Sequence, residues 1–250
     1  MNGLNIAGMA LLGALVGSFL NVWADRMPSG QSLIVPPSHC PGCQRRLSAW
    51  EMVPIVSWLL LRGRCRTCGE PIPIRVLLVE LLTAVLFGLV GWRYGIQPYS
   101  FLLLLYLSLL IVLSLIDLEH HLIPNQIVFP ALLIAALASP LTPTASLSRL
   151  WLGGALSFAV LWLIAILLPR GMGMGDVKLT AFIGLIVGFP TVIPMLLLSF
   201  ILGGVVGAFL LLTGIKGRSD PVPFGPFLAA AGVVGLLYGD AIVQAWLGRL

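Results

Sequence analysis

Tyr99-Ser-Phe-Leu-Leu-Leu-Leu-Tyr-Leu-Ser-Leu-Leu-Ile-Val-Leu-Ser-Leu-Ile-Asp-Leu118 is an apolar run whose single charge, Asp117, comes at its end. A run of about 20 apolar residues is what a membrane-crossing helix requires. The rest of the chain has the same character. Of 250 residues, 59% are hydrophobic and 9% are charged, whereas a soluble domain carries about 25% charged residues. The predicted class is therefore an all-α integral membrane protein, because runs of this length built as strands would leave open edges in lipid.

Working outward, the apolar runs predict about eight transmembrane helices, near residues 4–24, 75–92, 99–118, 126–140, 150–168, 177–190, 192–213 and 224–246. The fourth and sixth are short for a full crossing. Leu4 to Trp23 lacks a basic flank and is long enough to span, so it is expected as a first helix rather than a cleaved signal. The expected division is 1–24 as first helix, 25–74 as a cytoplasmic loop module and 75–250 as a helical membrane core.

Charge sets the expected orientation. With the N-terminus outside, the inside segments hold Arg26, Arg45, Arg46, Arg62, Arg64, Arg66, Arg75, Arg170, Lys178, Lys216 and Arg218. The outside segments hold Arg93, Arg149 and Arg249. Eleven against three agrees with the excess of basic residues on cytoplasmic loops. These arginines lie between spans and form no basic face on a folded module, so no nucleic-acid partner is expected. The same topology places the end of the third span, with Asp117, and the start of the sixth, with Asp176, at one cytoplasmic face.

Asp176 stands in Gly171-Met-Gly-Met-Gly-Asp-Val-Lys178, a glycine-rich turn at the start of an apolar helix. Gly171, Gly173 and Gly175 are expected to let backbones approach closely and to permit positive φ. No Gly-Lys-Ser/Thr follows and no strand precedes, so a phosphate cradle does not fit. A carboxylate at membrane depth costs about 2.5–3.5 kcal/mol on insertion scales and marks a functional group by default. The plainer reading, an acid capping a helix start, suits Asp176 taken alone. It suits Asp117 less well, because that acid meets the negative end of its own helix. Glu119 reads as solvated, and His120 and His121 as interfacial.

Two carboxyls held close share a proton, one serving as base toward a water and the other as acid toward a scissile carbonyl. Helix ends suggest Asp176 as the base and Asp117 as the proton holder. Intramembrane acids are also compatible with an ion-coupled transporter, in which Asp117 and Asp176 would be proton or cation sites.

The loop module carries all four cysteines, as Cys40-Pro-Gly-Cys43 and Cys65-Arg-Thr-Cys68. Two C-x-x-C pairs supply four thiolates for one tetrahedral zinc ion, and the reducing cytoplasm disfavours disulfides. Four thiolates leave no open position, so the expected role of Zn2+ is structural. A loop of this size needs such a staple. Met52–Leu61 is apolar but too short to span.

Taken together, these motifs resemble the type IV prepilin peptidases, the bifunctional leader peptidase/N-methyltransferases of pilus assembly and type II secretion. The resemblance runs nearly end to end. It is carried by Gly17-Ser-Phe-Leu-Asn-Val22 with Arg26-Met-Pro28, His39-Cys-Pro-Gly-Cys43, Glu51-Met-Val-Pro-Ile-Val-Ser57 and Cys65-Arg-Thr-Cys68-Gly-Glu-Pro-Ile72. Further along come Glu80-Leu-Leu-Thr-Ala84, Ile116-Asp117, Leu122-Ile-Pro-Asn125, Gly171-Met-Gly-Met-Gly-Asp-Val-Lys-Leu179 and Pro223-Phe-Gly-Pro-Phe227.

The resemblance implies Asp117 and Asp176 as catalytic residues of a Gly-x-Gly-Asp aspartyl protease in the bacterial inner membrane. The implied reaction cleaves a basic leader from prepilins or pseudopilins at a Gly-Phe junction. It also implies S-adenosylmethionine as donor for methylating the new N-terminus, an activity assigned to the cysteine loop by resemblance alone. Glu80 is a candidate for holding the substrate amine, with pairing to Arg75 or to a neighbouring helix as the alternative. Family members often carry Asp where this chain has Asn125. A pilin-assembly protein that binds without cutting is a further alternative.

Overall fold

The computed structural model describes residues 3–143, 145–168, 172–217 and 220–247. Arg170, Gly171, Arg218 and Arg249 lie outside the described residues. Among those described there is no β-strand, only two isolated bridges, His39 with Arg46 and Arg64 with Pro71. Nine α-helices are described: α1 Gly3–Arg26, α2 Val56–Leu60, α3 Ile74–Tyr94, α4 Pro98–His120, α5 Asn125–Ala138, α6 Leu147–Leu167, α7 Met174–Val187, α8 Val192–Leu212 and α9 Gly225–Leu247.

Six of these, α1, α3, α4, α6, α8 and α9, are long and apolar enough to cross a membrane. They correspond to six of the eight runs read from sequence, and the chain is an all-α multi-pass membrane protein. The two runs flagged as short are α5 and α7, of 14 residues each. At 1.5 Å per residue such a helix is about 21 Å long, less than the roughly 30 Å hydrocarbon core. α7 can be short because it hardly meets lipid. Val177, Leu179, Thr180, Phe182, Ile183, Gly184, Leu185 and Ile186 are all buried, and the helix packs against α5, α6 and α9. A helix apolar on every side belongs in a core. α5 carries Pro130 and is continued by a 3-10 turn, Ser139–Leu141.

The chain forms two compact units, Met1–Val112 and Leu113–Leu250, divided within α4. In the first, α1 packs along α3, and small residues set the approach. A Cβ on Gly13 would lie 2.8 Å from the Ala84 backbone, and one on Gly17 would lie 2.9 Å from the Glu80 Cα. In the second unit, α6 and α7 meet through Gly153 and Gly184, whose missing side chains leave room for each other's carbonyl. Close approach through small residues is how helices pack in lipid, where no hydrophobic force drives them together.

Candidate active site

Asp117 lies in the last turn of α4, 5% exposed, while Leu118, Glu119 and His120 beyond it are exposed. The helix ends there for a local reason. His121 takes a left-handed conformation, φ 52°, and its N–H closes on the Asp117 carbonyl at 2.9 Å. Leu122-Ile-Pro124 then leads directly into α5, with Pro124 in extended conformation at its start.

Asp176 is the third residue of α7 and is half-buried. Its N–H donates to the Gly173 carbonyl at 3.1 Å, and its own carbonyl accepts the Thr180 hydroxyl at 2.7 Å. Glycine is needed here for space, not for positive φ. Gly173 is extended, φ −80° and ψ 148°, and Gly175 is helical; neither has positive φ. A Cβ on Gly175 would lie 2.9 Å from the Ile123 Cβ. The missing side chain lets the start of α7 sit against the segment that follows Asp117. The expectation of close backbone approach therefore holds for Gly175, and that of left-handed backbone does not hold for Gly173 or Gly175.

The two carboxylates are near enough for the Asp117 charge to act on Asp176. Among the described residues neither is ion-paired with a lysine or arginine. Lys178, two residues from Asp176, sends its Nζ to Asn125 Oδ1 at 2.8 Å and over the Phe129 ring at 5.0 Å. Asn125 thus anchors Lys178 as a neutral acceptor. Two acids at helix ends within reach of one another's charge are equipped to share and pass a proton.

Gly225 is a contact that the sequence reading quoted but gave no role. It opens α9, is buried, and its N–H donates to Asp117 Oδ2 at 2.9 Å across 108 positions of chain. Asp117 therefore faces the positive start of α9 as well as the negative end of α4.

In the first unit the four cysteines come together. Their sulfurs all lie within 4.8 Å of one another, Cys40 and Cys68 at 3.6 Å, and all four are free thiols. The two pairs are folded alike. Gln44 N–H donates to the Cys40 carbonyl at 2.9 Å, and Gly69 N–H to the Cys65 carbonyl at 3.0 Å. Cys40 N–H donates to the Arg45 carbonyl and Cys65 N–H to that of Glu70, at 2.9 and 2.8 Å. Gln44 and Gly69 both turn the chain with positive φ. Four sulfurs at these separations can hold one metal ion with bonds of about 2.3 Å. Backbone N–H groups of Cys68 and then Thr67 bring the Cys65 thiol down to about 6, towards the thiolate a metal needs.

Around the sulfurs, Arg45 makes a forked pair with Glu51, 2.9 and 2.7 Å, and also donates to Cys65. With Ser48, Arg45 holds the Glu51 carboxyl well below the usual carboxylate range. The module is tied to α3 by Glu80, 3% exposed, which accepts the Ile55 N–H at 2.6 Å. Ile55 has φ 65°, a conformation rare for a β-branched residue. Arg75 pairs with Asp25 at 2.7 Å.

Comparison with known proteins places the chain in a family. Residues 11–94 match the Bacterial Peptidase A24 N-terminal domain, and residues 104–208 match the Type IV leader peptidase family. The first match contains the four cysteines and Glu80; the second contains Asp117 and Asp176; Gly225 lies beyond both. The chain is 36% identical over 237 residues to a prepilin leader peptidase/N-methyltransferase of Bacillus subtilis (strain 168), covering 95% of this chain and 96% of the relative. It is 36% identical over 265 residues to the protein of that name in Pseudomonas aeruginosa, 95% and 91% covered. With that of Xanthomonas campestris pv. campestris the identity is 34% over 273 residues, 98% and 95% covered. No solved structure matches. Likeness over nearly the full length of both partners, with the cysteine pairs and the acid pair each inside a matched region, makes this chain a member of the type IV leader peptidase family.

Proposed function

We propose that this chain is an aspartic endopeptidase that removes the basic leader from type IV prepilins or pseudopilins, with Asp117 and Asp176 as its catalytic pair. The observation that carries the reading is the meeting of two carboxylates from α4 and α7, neither paired with a lysine or arginine among the described residues. One carboxylate takes a proton from a water whose oxygen bonds to the scissile carbonyl carbon. The protonated partner supports the carbonyl oxygen and then supplies a proton to the leaving amine as the C–N bond breaks. Gly173 is exposed and presents no side chain beside Asp176, so an extended peptide can approach it there.

The substrate suits this placement. A pilin leader is basic and is followed by an apolar helix, so its cleavage point falls at a membrane surface. In this reading residues 25–74 form the module and the helices from residue 75 onward carry the peptidase. The protein sits in the bacterial inner membrane with its N-terminus periplasmic and both sites cytoplasmic, as the eleven-to-three distribution of basic residues supports. Cys40, Cys43, Cys65 and Cys68 hold a structural zinc ion, which fits their number, separation and closed tetrahedral donor set. The relatives' names include N-methyltransferase, and the corresponding activity here would transfer a methyl group from S-adenosylmethionine to the new N-terminal amine.

A prepilin digest followed by mass spectrometry tests the reading. Loss of the leader mass in wild type, and its absence in Asp117→Asn and Asp176→Asn, is the expected result. A further gain of one methyl mass, dependent on S-adenosylmethionine, reports the second activity. An intact prepilin together with substrate uptake by sealed vesicles would instead favour a transporter, and binding without mass change a pilin-assembly role.

A further inference from the structure

We infer that Gly225 is a positioning residue for the acid pair: its backbone N–H, at the start of α9, holds Asp117 Oδ2 and leaves Oδ1 as the oxygen free to exchange a proton. The inference rests on the proposed catalytic pair and deepens it.

Three observations converge on it. The hydrogen bond is 2.9 Å long, is buried, and joins residues 108 positions apart. Asp117 is buried, so this contact is not diluted by water. Gly225 is also the residue whose side chain the site cannot accept: a Cβ there would lie 2.6 Å from Asp117 Oδ2 and 3.1 Å from its Cγ. Its φ is not positive, so conformation does not demand glycine. Proximity to the carboxylate does.

The contact fixes which oxygen of Asp117 does chemistry. With Oδ2 occupied by an N–H donor, a proton on Asp117 has to sit on Oδ1. Asp176 has a backbone donor of its own, the Gly173 N–H, and stands in the first turn of α7, so the contact distinguishes the two oxygens of Asp117 and not the two acids. The charged groups around Asp117 do not compete for Oδ2. α9 carries no charged residue before Asp240. On α7, Lys178 is held by Asn125 of α5. On its own side Glu119 and His120 are exposed, and His121 follows at the helix end.

Oδ1 of Asp117 is therefore the oxygen that exchanges a proton with the reacting water or the substrate, whichever of the two acids enters the reaction protonated.

The wild-type protein reports this without substrate. Labelling Phe carbonyl carbons with 13C and Gly nitrogens with 15N isolates the Phe224–Gly225 amide; Phe87–Gly88 gives the one other such pair in the chain. The Gly225 amide is expected to shift with pH as Asp117 ionises, and to stop shifting in Asp117→Asn. A Gly225 amide that ignores pH, or that titrates equally in Asp117→Asn, overturns the positioning role.

Gly225→Ala gives a kinetic readout. Displacing the carboxylate is expected to lower kcat on the order of a hundredfold, with little change in KM; wild-type kcat in the folded variant counts against the inference. The catalytic pair itself fails separately, if Asp117→Asn or Asp176→Asn still cleaves prepilin.

Discussion

The four cysteines are gathered by two short turns with the same backbone hydrogen bonds, each closed within six residues. The two aspartates are gathered from helix ends 59 positions apart, and one of them leans on a third helix a further 49 positions away. The cysteine cluster can be specified by spacing because its ligands are neighbours in sequence. The acid pair depends on the packing of α4, α5, α7 and α9, so its geometry is set by residues that have no chemistry of their own. Gly175 fits against Ile123, and Gly225 against Asp117. The thiol site should therefore fail by loss of ligands, and the acid site by loss of either a carboxylate or a glycine.

The largest expected effect is on the acid pair. Asp117→Asn and Asp176→Asn should each lower prepilin cleavage by about 10²–10⁴-fold. The double variant should be little worse than either, because groups acting as a unit are not additive. Metal content should stay at the wild-type value in all three, and loss of metal from them would break the contrast between the two regions.

Next come the ligands. Cys40→Ser or Cys65→Ser should strip the ion, because removing one of four thiolates opens a closed site. Metal content per chain by atomic spectroscopy, with limited proteolysis within residues 27–73, measures this; a full complement of metal in either variant would contradict the four-sulfur site.

Glu80 offers a smaller test inside the first unit. Glu80→Ala leaves the Ile55 N–H without its acceptor and should cost about 1–3 kcal/mol. It should show as a lower melting temperature and earlier proteolysis near Ile55, and Glu80→Gln, which keeps an acceptor, should recover most of it. Equal behaviour of the two variants would mean that the carboxylate charge, not the hydrogen bond, is what matters.

The smallest effect is expected at Glu51, which reaches the sulfurs only through Arg45. Its carboxyl is held below the usual range in the folded module. The pair's contribution is thus complete above the ordinary carboxylate value and is lost only as pH falls through the depressed one. Glu51→Gln should release metal at a higher pH than wild type in an acid titration, and weaken metal affinity by roughly 10-fold. An unchanged release curve would remove Arg45 and Glu51 from the support of the thiolates.

Much of this was legible in the chain itself, because its signals are local. Hydrocarbon length alone identifies α1, α3, α4, α6, α8 and α9, and it marks the runs that become α5 and α7 as too short. The spacing in Cys40-Pro-Gly-Cys43 and Cys65-Arg-Thr-Cys68 announces a four-sulfur cluster, since a two-residue gap turns both sulfurs inward. An acid at the end of an apolar run, as at Asp117, stands out by its cost in lipid.

Tertiary structure alone decided the rest. Nothing near Gly225 in sequence says that its amide meets Asp117, and nothing near Glu80 says that it holds a positive-φ Ile55. The glycines before Asp176 read as conformational joints, yet Gly175 proves to be a gap kept open for Ile123. Hydropathy and spacing report what a residue does within a turn or two of its own helix. Which backbone amide a buried carboxylate will face depends on how separate helices pack, and that is settled only when they meet.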